Sequence, residues 1–324
     1  MVRCRPLADM VSYEMLGVAG ENFGSHLKGI AFFLQARQVN GDAQGIGGAA
    51  YWTWYRHEIW AALQTGRRMF LEDNYWQPGR LDYFSGLSVE DTANRAIFLF
   101  GQCVSFCNDC TASHEVGSYE GGNSQHHSAV SLNAALERWK QMLPSSMAHF
   151  FAERPPSTDG NGVSDFPFIW FVYPQRAIAY QVYHASKILL RLYFPLLPCE
   201  ITGTDRIQTL SSRREINRSR EQVFLVSNAG VPDTWSLVST QCLYVAGLVT
   251  DGVLERNHTL RLTEDCQKIS GRRTICLADE LRKLWRNKIL LIFHTLDESV
   301  PQIPVFYIEY CSSEDWVSMA TRER

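Results

Sequence analysis

Apolar residues recur at helical spacing along most of the chain, and nowhere do they alternate as a convincing series of strands would. Between Ser88 and Cys110 they fall at Ala93, Ala96, Ile97, Phe100, Cys103, Val104 and Cys107, the stripe of one helix face. Ser88 with Asp91 gives a capping signal at its start. A second stripe joins Leu132, Ala135, Leu136, Trp139 and Leu143 and is stopped by Pro144. A third helix is predicted from Pro174, whose fixed φ suits a first turn, to Tyr193, with Pro195 just beyond. Val238, Gln241, Cys242, Val245 and Val249 form a fourth stripe, and Leu277, Leu281, Leu284 and Ile289 a fifth. The aromatic stretch Ala49 to Leu63 is also read as helix. The predicted fold is all-α, an irregular multi-helix array.

The breaks between these segments are polar or glycine-rich: Gly41 to Gly48, Tyr75 to Gly86, Ser113 to Gln125, and Arg154 to Ser164. None separates two composition regimes. The expected organisation is a single helical domain over 8–300, followed by an irregular tail over 301–324.

Composition sharpens this picture in a few places. A chain of 324 residues can bury about three quarters of its unfolded surface. Nine tryptophans within a 12% aromatic content imply helices held apart by large side chains. A net charge of -3 gives no global attraction to nucleic acid, so direct DNA binding by this chain alone is not expected. The strongest apolar run, Phe166 to Tyr173, is too short to span a bilayer, and the first residues lack the apolar core of a secretory signal. No membrane association is expected, and an intracellular protein is the default. Nine cysteines without a regular framework are read as buried free thiols.

Chemistry has few anchors. Cys103, Cys107 and Cys110 have the Cys-x3-Cys-x2-Cys spacing of radical S-adenosylmethionine enzymes, which would place an iron-sulfur cluster there. Two of them, however, lie on the apolar stripe of a helix, and such a cluster sits in a loop after a barrel strand. His114, His126 and His127 could complete a zinc site with Cys107 and Cys110, but the CxxC pair is single, and a polar histidine-bearing loop is the preferred reading. Gly45 to Gly48 lacks the lysine of a phosphate loop, His57-Glu58 lacks a second histidine, and no Gly-x-Ser-x-Gly elbow occurs. The basic patches are Arg67-Arg68, Arg213-Arg214 with Arg218 and Arg220, and Arg272-Arg273; the stretch Arg213 to Arg220, interrupted by Glu215 and followed by Glu221, is read as a solvated helix face, with nuclear localisation as the alternative role of such patches. No resident metal or cofactor is expected, and the chain is read as a non-enzyme.

Several short motifs occur in a fixed order: Tyr13-Glu14-Met15-Leu16, then His26-Leu27-Lys28-Gly29, then Trp52, Arg56 and Glu58 on one helix. Leu136, Trp139, Leu143 and Pro144 follow, and then Tyr183-His184. Together they resemble the regulatory, middle-homology domain of fungal zinc-cluster transcription factors, over about Ser12 to Trp285. The resemblance implies a nuclear, α-helical regulatory domain, with the cytoplasm as the alternative location. Partners would be the transcription machinery or a full-length zinc-cluster regulator, with homodimerisation as one form of pairing. It also implies control by a small-molecule effector. Trp52, Arg56, Glu58 and His184 are its candidate effector-pocket or structural residues. The six-cysteine DNA-reading module of that family has no counterpart in this sequence. Two readings of that departure are a form truncated upstream, which entry into helix at Ala8 favours, and a freestanding regulator acting by protein contact.

Overall fold

A computed structural model describes residues 25–71, 75–78, 86–115, 122–143, 150–152, 167–193, 205–270 and 277–294. The motif at Tyr13 to Leu16, the helix entry at Ala8, Pro144 and the 301–324 tail lie outside the described residues.

Nine α-helices make up nearly all of the described structure: α1 (Ser25–Ala36), α2 (Gly45–Thr65), α3 (Val89–Glu115), α4 (Gly122–Gln141), α5 (Pro174–Tyr193), α6 (Asp205–Asn228), α7 (Ser236–Leu248), α8 (Val253–Ser270) and α9 (Leu277–His294). A 3-10 turn, Asp233–Trp235, leads into α7. The fold is the expected all-α array, with one addition. Strands β1 (Phe150–Ala152) and β2 (Phe168–Trp170) pair antiparallel, Phe151 opposite Ile169, so the apolar run before Pro174 forms half of a short hairpin laid on α6. Among the described residues no helix is long and apolar enough to cross a membrane.

Local chemistry explains the helix ends. The Ser88 hydroxyl accepts from the Asp91 backbone N–H at 3.0 Å and donates to the Asp91 carboxylate at 2.6 Å, capping α3. Pro174 opens α5, as its ring predisposes. Gly66, with φ of 63°, closes α2 in the left-handed conformation that costs glycine little. Two stretches read as connectors are partly helical. The glycines from Gly45 onward form the first turn of α2, and a Cβ on Gly48 would run into the Ala43 carbonyl oxygen, so close backbone approach explains the glycine. Within Ser113 to Gln125, α3 continues to Glu115 and α4 has already begun at Gly122.

Helix α5 lies against α3, α4, α6 and α7, and its side chains from Gln181 to Leu190 are all buried. Helix α7 is buried along its whole length and also meets α2, α8 and α9. An apolar stripe facing one way suits a surface helix, whereas these two are covered on every side. One continuous core extends from Leu27 on α1 to Ala246 on α7. A second cluster attaches α9 through Leu277, Leu281 and Trp285 to Trp60, Leu237, Tyr244 and Leu248.

The aromatic residues fasten helices as well as fill space. Indole and phenol groups donate to backbone carbonyls of other elements: Trp54 to Leu27 at 2.9 Å, Tyr55 to Phe98 at 3.0 Å, Trp139 to Thr92 at 3.1 Å and Trp285 to Gly247 at 3.0 Å. A buried ring with a polar tip must find such a partner, and each partner chosen lies on a different helix.

Candidate functional site

Helix α2 sends its signature residues to separate places. The Trp52 indole donates to the Gly41 carbonyl at 3.2 Å and meets the Trp76 ring edge-on at 5.7 Å. Both rings line a cleft of about 170 Å³ beside Asp42, Asp91 and Arg95. One turn later, Arg56 donates to Asn94 Oδ1 at 2.8 Å and approaches Glu90 at 3.8 Å, both on the first turns of α3. Its guanidinium also lies over the Trp235 ring, 4.4 Å from the centroid. Burial pulls Arg56 down to about 10, against the opposing charge of Glu90. Trp52 and Arg56 thus share one face, directed at the start of α3, as i, i+4 spacing requires.

Glu58 turns away from that face. Its carboxylate is fully buried and accepts two bonds from Arg67, at 2.6 and 3.0 Å, and one from the Phe70 backbone N–H at 2.7 Å. Arg67 in turn covers the Phe70 ring at 3.7 Å. The chain reversal after α2 is built on this carboxylate. Arg67, part of a basic patch noted in the sequence, is its partner.

His184 belongs to a different neighbourhood, on α5, facing α6. Its Nδ1 lies 3.3 Å from the Ser219 hydroxyl, and the ring meets Tyr180 and Tyr183 edge-on at 4.6 and 5.0 Å. The structure therefore joins Trp52 with Arg56 and leaves Glu58 and His184 as separate fastenings.

Beside His184 is a charged cluster that periodicity did not reveal. The Lys187 ammonium, 6% exposed, donates to Asn133 at 2.7 Å, Glu137 at 2.8 Å and Glu215 at 2.7 Å, tying α5 to α4 and α6. Arg191 Nε meets the other Glu215 oxygen at 2.6 Å, and the Tyr183 hydroxyl donates to Glu137 at 3.0 Å. Burial pushes both carboxylates up, yet the Lys187 hydrogen bond and charge, joined at Glu215 by Arg191, hold them below the ordinary carboxylate value. A lysine inside the apolar run Ile188-Leu189-Leu190 was the available signal, since lysine is almost never buried without a partner. The reading of Arg213 to Arg220 as a solvated face also needs correction. Arg213, Arg214 and Arg218 are exposed, but Glu215 joins this cluster. Arg220 is 8% exposed and reaches Glu255 at 3.1 Å.

Cys103, Cys107 and Cys110 lie on one face of α3, buried against the core. Burial raises all three thiols, Cys103 to about 12 and Cys110 to about 11, with Cys107 raised further by its neighbouring thiols and Asp109. As they stand the three thiols pack as small apolar groups within the core. His126 and His127 are exposed on α4 itself and not in a loop, and the side chain of His114 lies outside the described residues. Among the described residues no group of three His, Cys, Asp or Glu is placed to hold a metal ion. No protein-family model, curated protein or solved structure matches the chain.

Proposed function

We propose that this chain is a transcription-regulatory domain of the zinc-cluster type that works by contact and catalyses no reaction. It acts in the nucleus, on the transcription machinery or on a full-length zinc-cluster regulator, and pairs with a second copy or with that regulator. The observation that carries the reading is the placement of Trp52 and Arg56. These motif residues direct one face of α2 at the start of α3, where the cleft beside Trp76 opens. A ligand that fits one packing of α2 on α3 better than another shifts the population between them, and with it the surface offered to a partner. Helical arrays place ligand sites between facing helices in this way.

The test is a reporter driven by the full chain fused to an unrelated DNA-binding module in a fungal host. The fusion is expected to change reporter output by about fivefold or more, and the Arg56→Ala form to respond differently. An expressed, nuclear fusion that leaves output at the level of the DNA-binding module alone overturns the reading. Ligand control has its own measurement: an effector that prefers the native state raises the melting temperature with concentration.

A further inference from the structure

Three lysine or arginine side chains are buried among the described residues: Arg176, Lys187 and Arg220. Two of them are answered by anions. Lys187 donates to Glu137 at 2.8 Å and to Glu215 at 2.7 Å, and Arg220 donates to Glu255 at 3.1 Å and to the Val249 carbonyl at 3.4 Å. Arg176, 8% exposed, has neither a carboxylate at ion-pair distance nor a side-chain hydrogen bond among the described residues, and its Nε is enclosed without an acceptor. The Nε atoms of Arg56 and Arg220 lack an acceptor too, but in both a terminal nitrogen reaches an oxygen.

The Arg176 guanidinium stays at the start of α5. Helical side chains lean toward the N-terminus of their helix, and this one, in the first turn, lies over the ring of Tyr173, 4.5 Å from the centroid. That contact returns only part of what a cation loses on leaving water, because an aromatic face carries no net charge and leaves the edge of the guanidinium unbonded. The position itself is also unfavourable for a cation. The first turn of a helix carries partial positive charge, which repels Arg176 and attracts an anion. Proteins satisfy their buried polar groups with few exceptions, and a buried cation left over at a helix N-terminus points to an anion brought from outside.

The donors at hand select the kind of anion. Pro174 has no N–H, and the N–H groups of Arg176 and Ala177 both return to the Tyr173 carbonyl, at 3.0 and 3.4 Å. The first turn therefore lacks the run of free amides that cradles a phosphate. What remains is the planar fork of the guanidinium, whose parallel N–H groups match the two oxygens of a carboxylate. We propose that Arg176, at the first turn of α5, is the binding site for a small carboxylate-bearing metabolite. The site shares no residue with the cleft beside Trp52, and its occupancy depends on neither transcription nor DNA.

The probes are acetate and inorganic phosphate, each compared with chloride at equal ionic strength to remove general screening. The full chain is prepared with isotope-labelled arginine, and the Arg176 Nε–H resonance is identified by its loss in Arg176→Lys. Acetate is expected to move that resonance saturably and to bind more tightly than phosphate, while the resonance of the exposed Arg213 drifts without saturating. Thermal denaturation gives a second reading, since a ligand of the folded chain raises its melting temperature, by about 2 °C at several times the dissociation constant. Arg176→Met keeps an apolar stem and removes the charge. It should melt in chloride at or above the temperature of the parent and lose the rise that acetate produces. A linear response shared by Arg176 and Arg213 means an adventitious ion only and overturns the proposal. Phosphate binding as tight as acetate overturns the assignment to a carboxylate. A rise with acetate that persists in Arg176→Met overturns the site, as does melting of Arg176→Met several degrees below the parent in chloride, which would show that the chain itself supplies the anion.

Discussion

Glu58 and Glu280 are both acids on helices, and their surroundings give them opposite characters. Glu58 is fully buried but answered by Arg67 and by a backbone N–H. Replacing it with glutamine leaves a partly buried guanidinium without its anion, and Glu58→Gln is expected to cost about 2–3 kcal/mol in urea denaturation. A loss below about 0.5 kcal/mol would mean that the pair behaves as a surface ion pair. Glu280, on α9, is raised to about 7, chiefly by burial and against the charge of Lys283. Its folded value exceeds its unfolded one, so its contribution is complete at low pH and is lost as pH rises through about 7. Glu280→Gln keeps the neutral form throughout. Its stability relative to the parent should therefore grow between about pH 5 and pH 8, by on the order of 1 kcal/mol, and then level off. His258 is lowered to about 4 by burial and by Arg261, which gives the parent an opposing slope in acid. That slope is common to both proteins and cancels in the difference. A difference that stays flat from pH 5 to pH 8 would contradict the assignment.

Among the helices, α5 and α7 were legible in the sequence through their apolar residues, although both also bury polar groups, whereas α6 and α8 were not. Helix α5 begins at Pro174 and ends at Tyr193, as read from the flanking prolines and its dense apolar face. Helix α8 has no such stripe because it packs through His258, Thr259 and Thr263, with the threonine hydroxyls donating back to carbonyls one turn earlier. Helix α6 hides its inner face in the same way, with Ser219, Arg220 and Ser227 among its buried residues. The pattern that signals a helix is a difference in polarity between faces, and these helices lack it. Two glycines test the same point about packing. Gly48→Ala drives a Cβ into the Ala43 carbonyl, a backbone atom that cannot swing away, and should cost about 1–3 kcal/mol. Gly29→Ala, in the middle of α1 with nothing near the added carbon, should stabilise by about 0.5–1 kcal/mol. Thermal denaturation of the two variants checks both signs, and equal shifts would refute the distinction.

Among the described residues one large core is accompanied by two smaller clusters, one joining β2 to α6 and the other attaching α9 to α7 and α2. Removing the buried Leu281 side chain empties part of the α9 cluster alone. Leu281→Ala should cost about 2–5 kcal/mol in the stability of α9, with amide exchange rising there while α5 stays protected. Exchange rising equally in α5 would show that the α9 cluster and the large core open as one. At this scale the sequence by itself determined that the chain is helical and aromatic-rich, because stripe spacing and proline position act within a few residues of one another. It also marked Trp52, Arg56, Glu58 and His184 as notable through their order along the chain. Only the tertiary structure decided that Arg56 meets the start of α3 while Trp52 lines the cleft beside it, that Glu58 holds Arg67, and that Lys187 gathers two carboxylates from different helices. Those partners lie far apart in sequence or on faces whose direction depends on helix packing, and no local spacing encodes the angle at which two helices cross.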